Sequence, residues 1–182
     1  IQRGVGASTT GASAFGASIN LSTLSTTNSN KPYGEISTSY GSFNTFKNTV
    51  KIGTGLIDGK WNFEGRLSKI ASDGFIDRAS SDLNSYYFSG SYLGEKTSIQ
   101  ALVFSGNEKT YQSWGGTPLR VLDTNQTYNP YTYDNQIDNY TQTHYQLHLT
   151  NKPTKRIKLN SSLHYTRGFG YYESFKVGEA LS

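Results

Sequence analysis

Thr143-His144-Tyr145-Gln146-Leu147-His148-Leu149-Thr150 alternates between a polar group and a ring or aliphatic chain. After Asn151-Lys152-Pro153-Thr154 the alternation resumes, with Ile157, Leu159, Leu163 and Tyr165 set against Lys158, Asn160, Ser162 and His164. A period of two puts successive side chains on opposite faces of an extended strand. Two such runs separated by Asn, Pro and Thr predict a hairpin. One face of that hairpin is greasy and the other is wet, the pattern of an antiparallel sheet between two environments.

The same signal recurs outward from this hairpin. Strands are expected over residues 33–42, 45–56, 61–70, 83–93, 97–107, 143–150 and 155–166. The second sets Phe46, Val50, Ile52 and Leu56 against Lys47, Thr49 and Lys51; the third sets Trp61, Phe63 and Leu67 against Asn62, Glu64 and Arg66. The fourth and fifth alternate less cleanly, with Leu102 and Phe104 on the polar side. Residues 57–60, 94–96 and 151–154 carry the Gly, Pro, Asp and Asn of tight turns, whereas residues 73–82 and 108–142 are long connections. Short turns at one end and long loops at the other are the pattern of a transmembrane β-barrel. The strand lengths agree, since a spanning strand needs about 9–11 residues and an ordinary soluble strand has roughly 5–6. Tyr33, Trp61 and Tyr92 sit near short-turn ends, and Tyr40 and Tyr165 near long-loop ends, as interfacial girdles do.

Composition narrows the classes. Of 182 residues, 34% are hydrophobic and 16% charged, while 23 Ser, 20 Thr, 14 Asn, 19 Gly and 14 Tyr fill the gap. Heptads are absent, which excludes helical bundles and coiled coils. There is no cysteine, hence no disulfide and no thiolate metal site. The net charge of +4 is mild and scattered, a poor match to nucleic acid. Neither a targeting segment nor an initiator methionine is present, so the true N-terminus is expected elsewhere. A barrel with a wet lumen needs one apolar face per strand and no dry core. Seven strands is an odd number, whereas bacterial single-chain barrels are even. The expectation is therefore the front portion of a larger antiparallel barrel.

Residues 4–30 carry no charge and are rich in Gly, Ser and Thr. A strand is expected at 19–23. Gly4-Val5-Gly6 has neither the preceding strand nor the following helix of a phosphate loop. Arg3-Gly4, Gly11, Ala14, Gly16 and Ile19-Asn20-Leu21 resemble the closing plug segment of TonB-dependent outer-membrane receptors. The body is similar to the Bacteroidetes-type receptors in Tyr111-Gln112-Ser113-Trp114, in residues 127–135 and in residues 164–173. The chain departs from the family in having Val5 where Arg-Gly-Pro is frequent, Phe15-Gly16 where Gly-Gly is common, and no Tyr-Gly pair.

The resemblance implies an all-β transmembrane barrel of about 22 strands, with residues 1–26 ending the plug and residues 27–182 supplying the first seven strands. It implies TonB-dependent uptake of a scarce nutrient, such as a ferric siderophore, haem, cobalamin or glycan, across the outer membrane of a Gram-negative bacterium. The implied partners are TonB with its inner-membrane energising complex, outer-membrane lipid, a small-molecule or metal-chelate ligand and a surface lipoprotein. The TonB box, most of the plug and the remaining strands are expected outside these residues.

The loop over 108–142 is the expected ligand face. Tyr111, Trp114, Tyr128, Tyr131 and Tyr133 offer ring faces to planar or sugar-like ligands, and Arg120 suits a carboxylate or catecholate. The same rings could instead pack the loop on itself. Arg3, Glu64 and Arg66 are candidates for charge pairing between plug and barrel. Asp134, Asn135, Asp138 and Asn139 offer oxygens for Ca²⁺, but their spacing matches no defined calcium loop. His144 and His148 lie roughly 13 Å apart along a strand, too far to share a metal; with His164 they read as lumen polar groups. No metal site and no cofactor is expected. Nothing resembles a nucleophile–base set, so no enzyme activity is expected. The competing classes are an all-β carbohydrate-binding or adhesin module and, last, a β-rich secreted hydrolase. The direction of Phe63, Leu67, Leu147, Leu149, Leu159 and Leu163 separates a sandwich core from a lipid-facing band.

Overall fold

The computed structural model describes residues 2–3, 17–18, 31–176 and 178. Strands β1 (Gln2–Arg3) and β2 (Ala17–Ser18) pair with each other. The expected strand at 19–23 and nearly all of the expected plug segment lie outside the described residues. Seven further strands are β3 (Tyr33–Gly41), β4 (Thr45–Gly53), β5 (Trp61–Ser72), β6 (Ser81–Leu93), β7 (Thr97–Tyr111), β8 (Ile137–Thr154) and β9 (Ile157–Tyr172). They form one sheet in sequence order, each antiparallel to the next. One short helix, α1 (Leu119–Leu122), interrupts the long loop. No helix of the described residues is long and apolar enough to cross a membrane.

The turn chemistry acts where the sequence places it. Asp58 and Gly59 have φ of 50° and 64°, the left-handed pair that matches a tight hairpin to the twist of its strands. The later strands run further than their alternation does. β8 covers Ile137–Thr154 rather than 143–150, and β9 reaches Tyr172. Main-chain ladders need only N–H and C=O groups, so pairing continues through polar residues that break the side-chain pattern. Tyr165 therefore sits within β9, opposite Tyr145, and not at a strand end. Pro153 has no N–H to give the ladder, and the β8–β9 register shifts between Asn151 and Thr154.

The register assigns every strand residue to one of two faces. On one face, three rows next to the short turns are apolar. The first is Trp61, Tyr92, Ile99 and Leu149; the second runs from Phe63 through Ala101 and Leu147 to Leu163; the third holds Ile52, Phe88, Val103, Tyr145 and Tyr165. Nearer the long loops the same face turns polar, with Thr38, Asn48, Lys69, Asn84, Asn107 and Thr141 in one row. The opposite face carries Lys51, Asn62, Glu64, Arg66, Ser89, Ser91, Gln146, His148 and His164. Leu102 and Phe104 lie on it too, as the sequence predicts, and the Phe104 ring stacks on His144.

Burial runs opposite to that of an ordinary soluble sheet. Phe63 is 47% exposed and Leu67 54%, whereas Asn62 is 4% and Glu64 8% exposed. In β5 and β6 the wet face is the enclosed one and the greasy face the open one. All six residues that separate a sandwich core from a lipid-facing band, Phe63, Leu67, Leu147, Leu149, Leu159 and Leu163, share the open face and are exposed.

Candidate functional site at the long-loop end and along the polar face

The long connections meet at one end of the sheet, and polar side chains lock them together. Arg78 reaches from the β6 approach to donate to the carbonyls of Asn129 (3.0 Å) and Tyr131 (2.7 Å). Asn129 donates to the carbonyls of Asp77 (2.9 Å) and Gln112 (3.2 Å) and accepts from the Tyr131 N–H (3.1 Å). Gln112 donates to the carbonyls of Ile137 (2.9 Å) and Glu173 (3.1 Å), and its side-chain oxygen accepts from Gln136 (2.8 Å). Gln112, Asn129 and Gln136 are buried. Their amides satisfy backbone groups that a loop this long would otherwise strand away from water.

The predicted loop residues divide between scaffold and surface. Tyr111 is buried and donates its hydroxyl to the Tyr133 carbonyl (2.8 Å). Tyr131 is half-buried and held through its backbone by Arg78. Both belong to the scaffold, as the self-packing alternative has it. Trp114, Tyr128 and Arg120 are exposed, Arg120 within α1. Trp114 faces Tyr172 of β9 at 6.2 Å between ring centres, and Tyr133 faces Phe175 at 5.6 Å. Tyr172 and Phe175 were not singled out from sequence; their signal is the run of rings in Tyr171-Tyr172-Glu173-Ser174-Phe175. The structure thus gathers two ring pairs, each joining the loop to the end of β9.

Tyr133 also donates to the Glu173 carboxylate at 2.6 Å. That bond pushes the Tyr133 hydroxyl above its ordinary pKa of 10.0, because ionising it would sacrifice the donor beside a negative charge; the bond from Asn135 opposes the shift. A raised phenol favours the folded loop up to about pH 10, and the advantage fades as pH rises through the shifted value. Alkaline titration followed at the tyrosinate band should show the late-ionising fraction of the wild type shrink in Glu173→Gln. An unchanged curve would remove this link between loop and strand.

Along the polar face, Glu64 and Arg66 share a side as expected, two residues apart on β5. The ion pairs of the described side chains are Lys51–Glu35 at 2.9 Å and Lys69–Asp82 at 3.1 Å, so Glu64 and Arg66 do not pair with each other. The buried Arg66 Nε and Asn62 Oδ1 have no hydrogen-bond partner among the described residues. Buried polar atoms of this kind call for a polar counterpart. Arg3 lies in β1, its backbone opposite Ala17; the expected pairing of its side chain with a barrel carboxylate lies outside what the structure describes. The histidines bond locally, His144 to Thr166 and His148 to Ser162, both at 2.9 Å. Asp138 and Asn139 are consecutive in β8 and point to opposite faces, which divides the suggested oxygen cluster. Among the described residues no group of three or more His, Asp or Glu side chains is gathered closely enough to hold a metal ion.

No family model, no curated protein and no solved structure matches this chain.

Proposed function

We propose that this chain is a stretch of a TonB-dependent receptor barrel that takes a scarce nutrient across the bacterial outer membrane. One observation carries the reading: within a single-layer antiparallel meander, β5 and β6 expose their apolar face and enclose their polar one. Water penalises that arrangement and hydrocarbon rewards it. Apart from the short β1–β2 pair, the described residues supply no second sheet to seal the apolar rows, which is what a carbohydrate-binding or adhesin sandwich requires. Among the described residues no strand pairs with the outer edge of β3 or of β9, and a barrel closes such edges with further strands. Arg66 and Asn62 on the inner face suit a polar plug, and the rings at the long-loop end suit a ligand arriving from outside.

The test uses the full receptor in a Gram-negative host. The chain should fractionate with the outer membrane and require detergent for extraction. Uptake of radiolabelled iron complexes or cobalamin should fall when Trp114 and Tyr172 are both replaced by Ala, at unchanged surface abundance. A protein that stays folded and soluble without detergent would overturn the reading.

A further inference from the structure

The two ends of the sheet differ in charge. The short turns carry Lys60, Lys96, Lys152, Lys155 and Arg156 against Asp58 and Glu95. The long-loop end carries Arg78, Arg120 and Lys176 against Asp73, Asp77, Asp123, Asp134 and Glu173. The basic end is also ordered as a row. The Leu93 N–H donates to the Lys60 carbonyl and the Lys152 N–H to the Lys96 carbonyl, both at 2.7 Å, so neighbouring turns are tied side by side. All five cations of the turns are exposed, and neither side-chain ion pair of the described residues involves them.

A groove of about 970 Å³ lies in the open apolar face and comes nearest the basic row at Ile57, in the same turn as Lys60. It is lined at the turn end by Ile57 and Pro32. Its floor is Gly65, Gly90 and Ala101, and its walls include Phe63, Phe88 and Tyr145. The hollow is cut into the band by missing side chains. Gly65 stands opposite Phe88 and Gly90 opposite Phe63, and each ring lies over the partner's glycine, where a Cβ would come within 3.2 Å of it. The rings thus fold flat across neighbouring strands, leaving a trough between them.

We propose that the basic short-turn row and this trough together bind one anionic phospholipid, its phosphate headgroup against Lys60, Lys96 and Lys152 and an acyl chain in the trough. The proposal rests on the membrane reading above and adds to it a lipid class and a place. Cations next to a membrane surface attract anionic lipid, and an apolar trough further up the same face, past the row of Trp61, Tyr92, Ile99 and Leu149, suits its chain. A zwitterionic lipid gains only from the trough, so the two features have separable signatures.

The full receptor, purified in detergent and exchanged into nanodiscs of equal phosphatidylglycerol and phosphatidylethanolamine, provides the test by native mass spectrometry of the retained lipid. Phosphatidylglycerol should be retained in excess. Combining Lys60→Gln, Lys96→Gln and Lys152→Gln should lower that preference by about fivefold per lysine. Ala101→Phe should reduce retention of both lipids and leave their ratio unchanged. The wild-type preference should also weaken as salt is raised, which needs no variant to fold. Equal retention of the two lipids, a preference indifferent to salt, or unchanged retention in Ala101→Phe would overturn the proposal while the membrane reading stands. A chain that never enters the membrane would overturn both.

Discussion

Leu163→Arg is expected, on the proposed membrane reading, to destabilise the protein by about 2–4 kcal/mol, the cost of a charge facing hydrocarbon near mid-bilayer. Leu163 stands opposite Leu147 in the apolar rows and is widely exposed. Its neighbour Ser162 stands opposite His148 on the other face. Ser162→Arg should therefore cost less than about 1 kcal/mol, because a lumen-facing arginine keeps its water. The pair differs by one position and inverts the outcome, so helix propensity, chain length and local sequence cancel. Urea unfolding of the full receptor in lipid vesicles would measure the difference. Equal costs would mean that both faces meet the same medium, and the barrel reading would fall. A soluble sandwich would bury Leu163 in its core and would also make Leu163→Arg the costlier change, so the wild type is compared with and without lipid, and only a sandwich stays folded without it.

Asn129→Ala is the second large effect. The side chain is almost completely buried and joins the segments around Asp77, Gln112 and Tyr131. Truncation removes two donors and one acceptor and strands the Tyr131 N–H and two carbonyls. Each buried polar group left unpaired costs about 1–3 kcal/mol, so a local loss of roughly 3 kcal/mol or more is expected. The strands carry their own ladders and should survive. The loss should appear as fast hydrogen exchange and protease cutting confined to the two long loops, with the protection of the sheet intact. Arg78→Lys should reproduce part of it, since an ammonium cannot span the Asn129 and Tyr131 carbonyls as the guanidinium fork does. If Asn129→Ala leaves the loop as protected as before, the hydrogen-bonded lock does not hold it.

The candidate site was legible only in outline. That residues 108–142 would be loop and ring-rich follows from composition alone. That Tyr111 faces inward and Trp114 outward does not, because both lie beyond the regular alternation. Arg78, Gln112, Asn129 and Gln136 carry the loop; Gln112 and Asn129 fall within stretches that bear the family resemblance, yet nothing in the chain marks any of the four as scaffold. Arg78 and Asn129 are 51 residues apart, and no local pattern links positions at that separation. The same holds for the trough, whose floor and walls come from strands β5 to β8 and exist only in register.

Period-two alternation, Asp-Gly and Asn-Lys-Pro turns, and unequal connections were enough by themselves to determine two-faced antiparallel strands and the end at which long loops gather. Those features are local: they depend on the geometry of one extended strand and on the φ angles of a few residues. Which face is enclosed is not local. Strands read alike whether their apolar side meets a core or a bilayer, and only the assembled sheet places Asn62 and Glu64 inside and Phe63 outside. Tertiary structure decided that inversion, because burial is a property of what surrounds a side chain and not of the side chain's order along the strand.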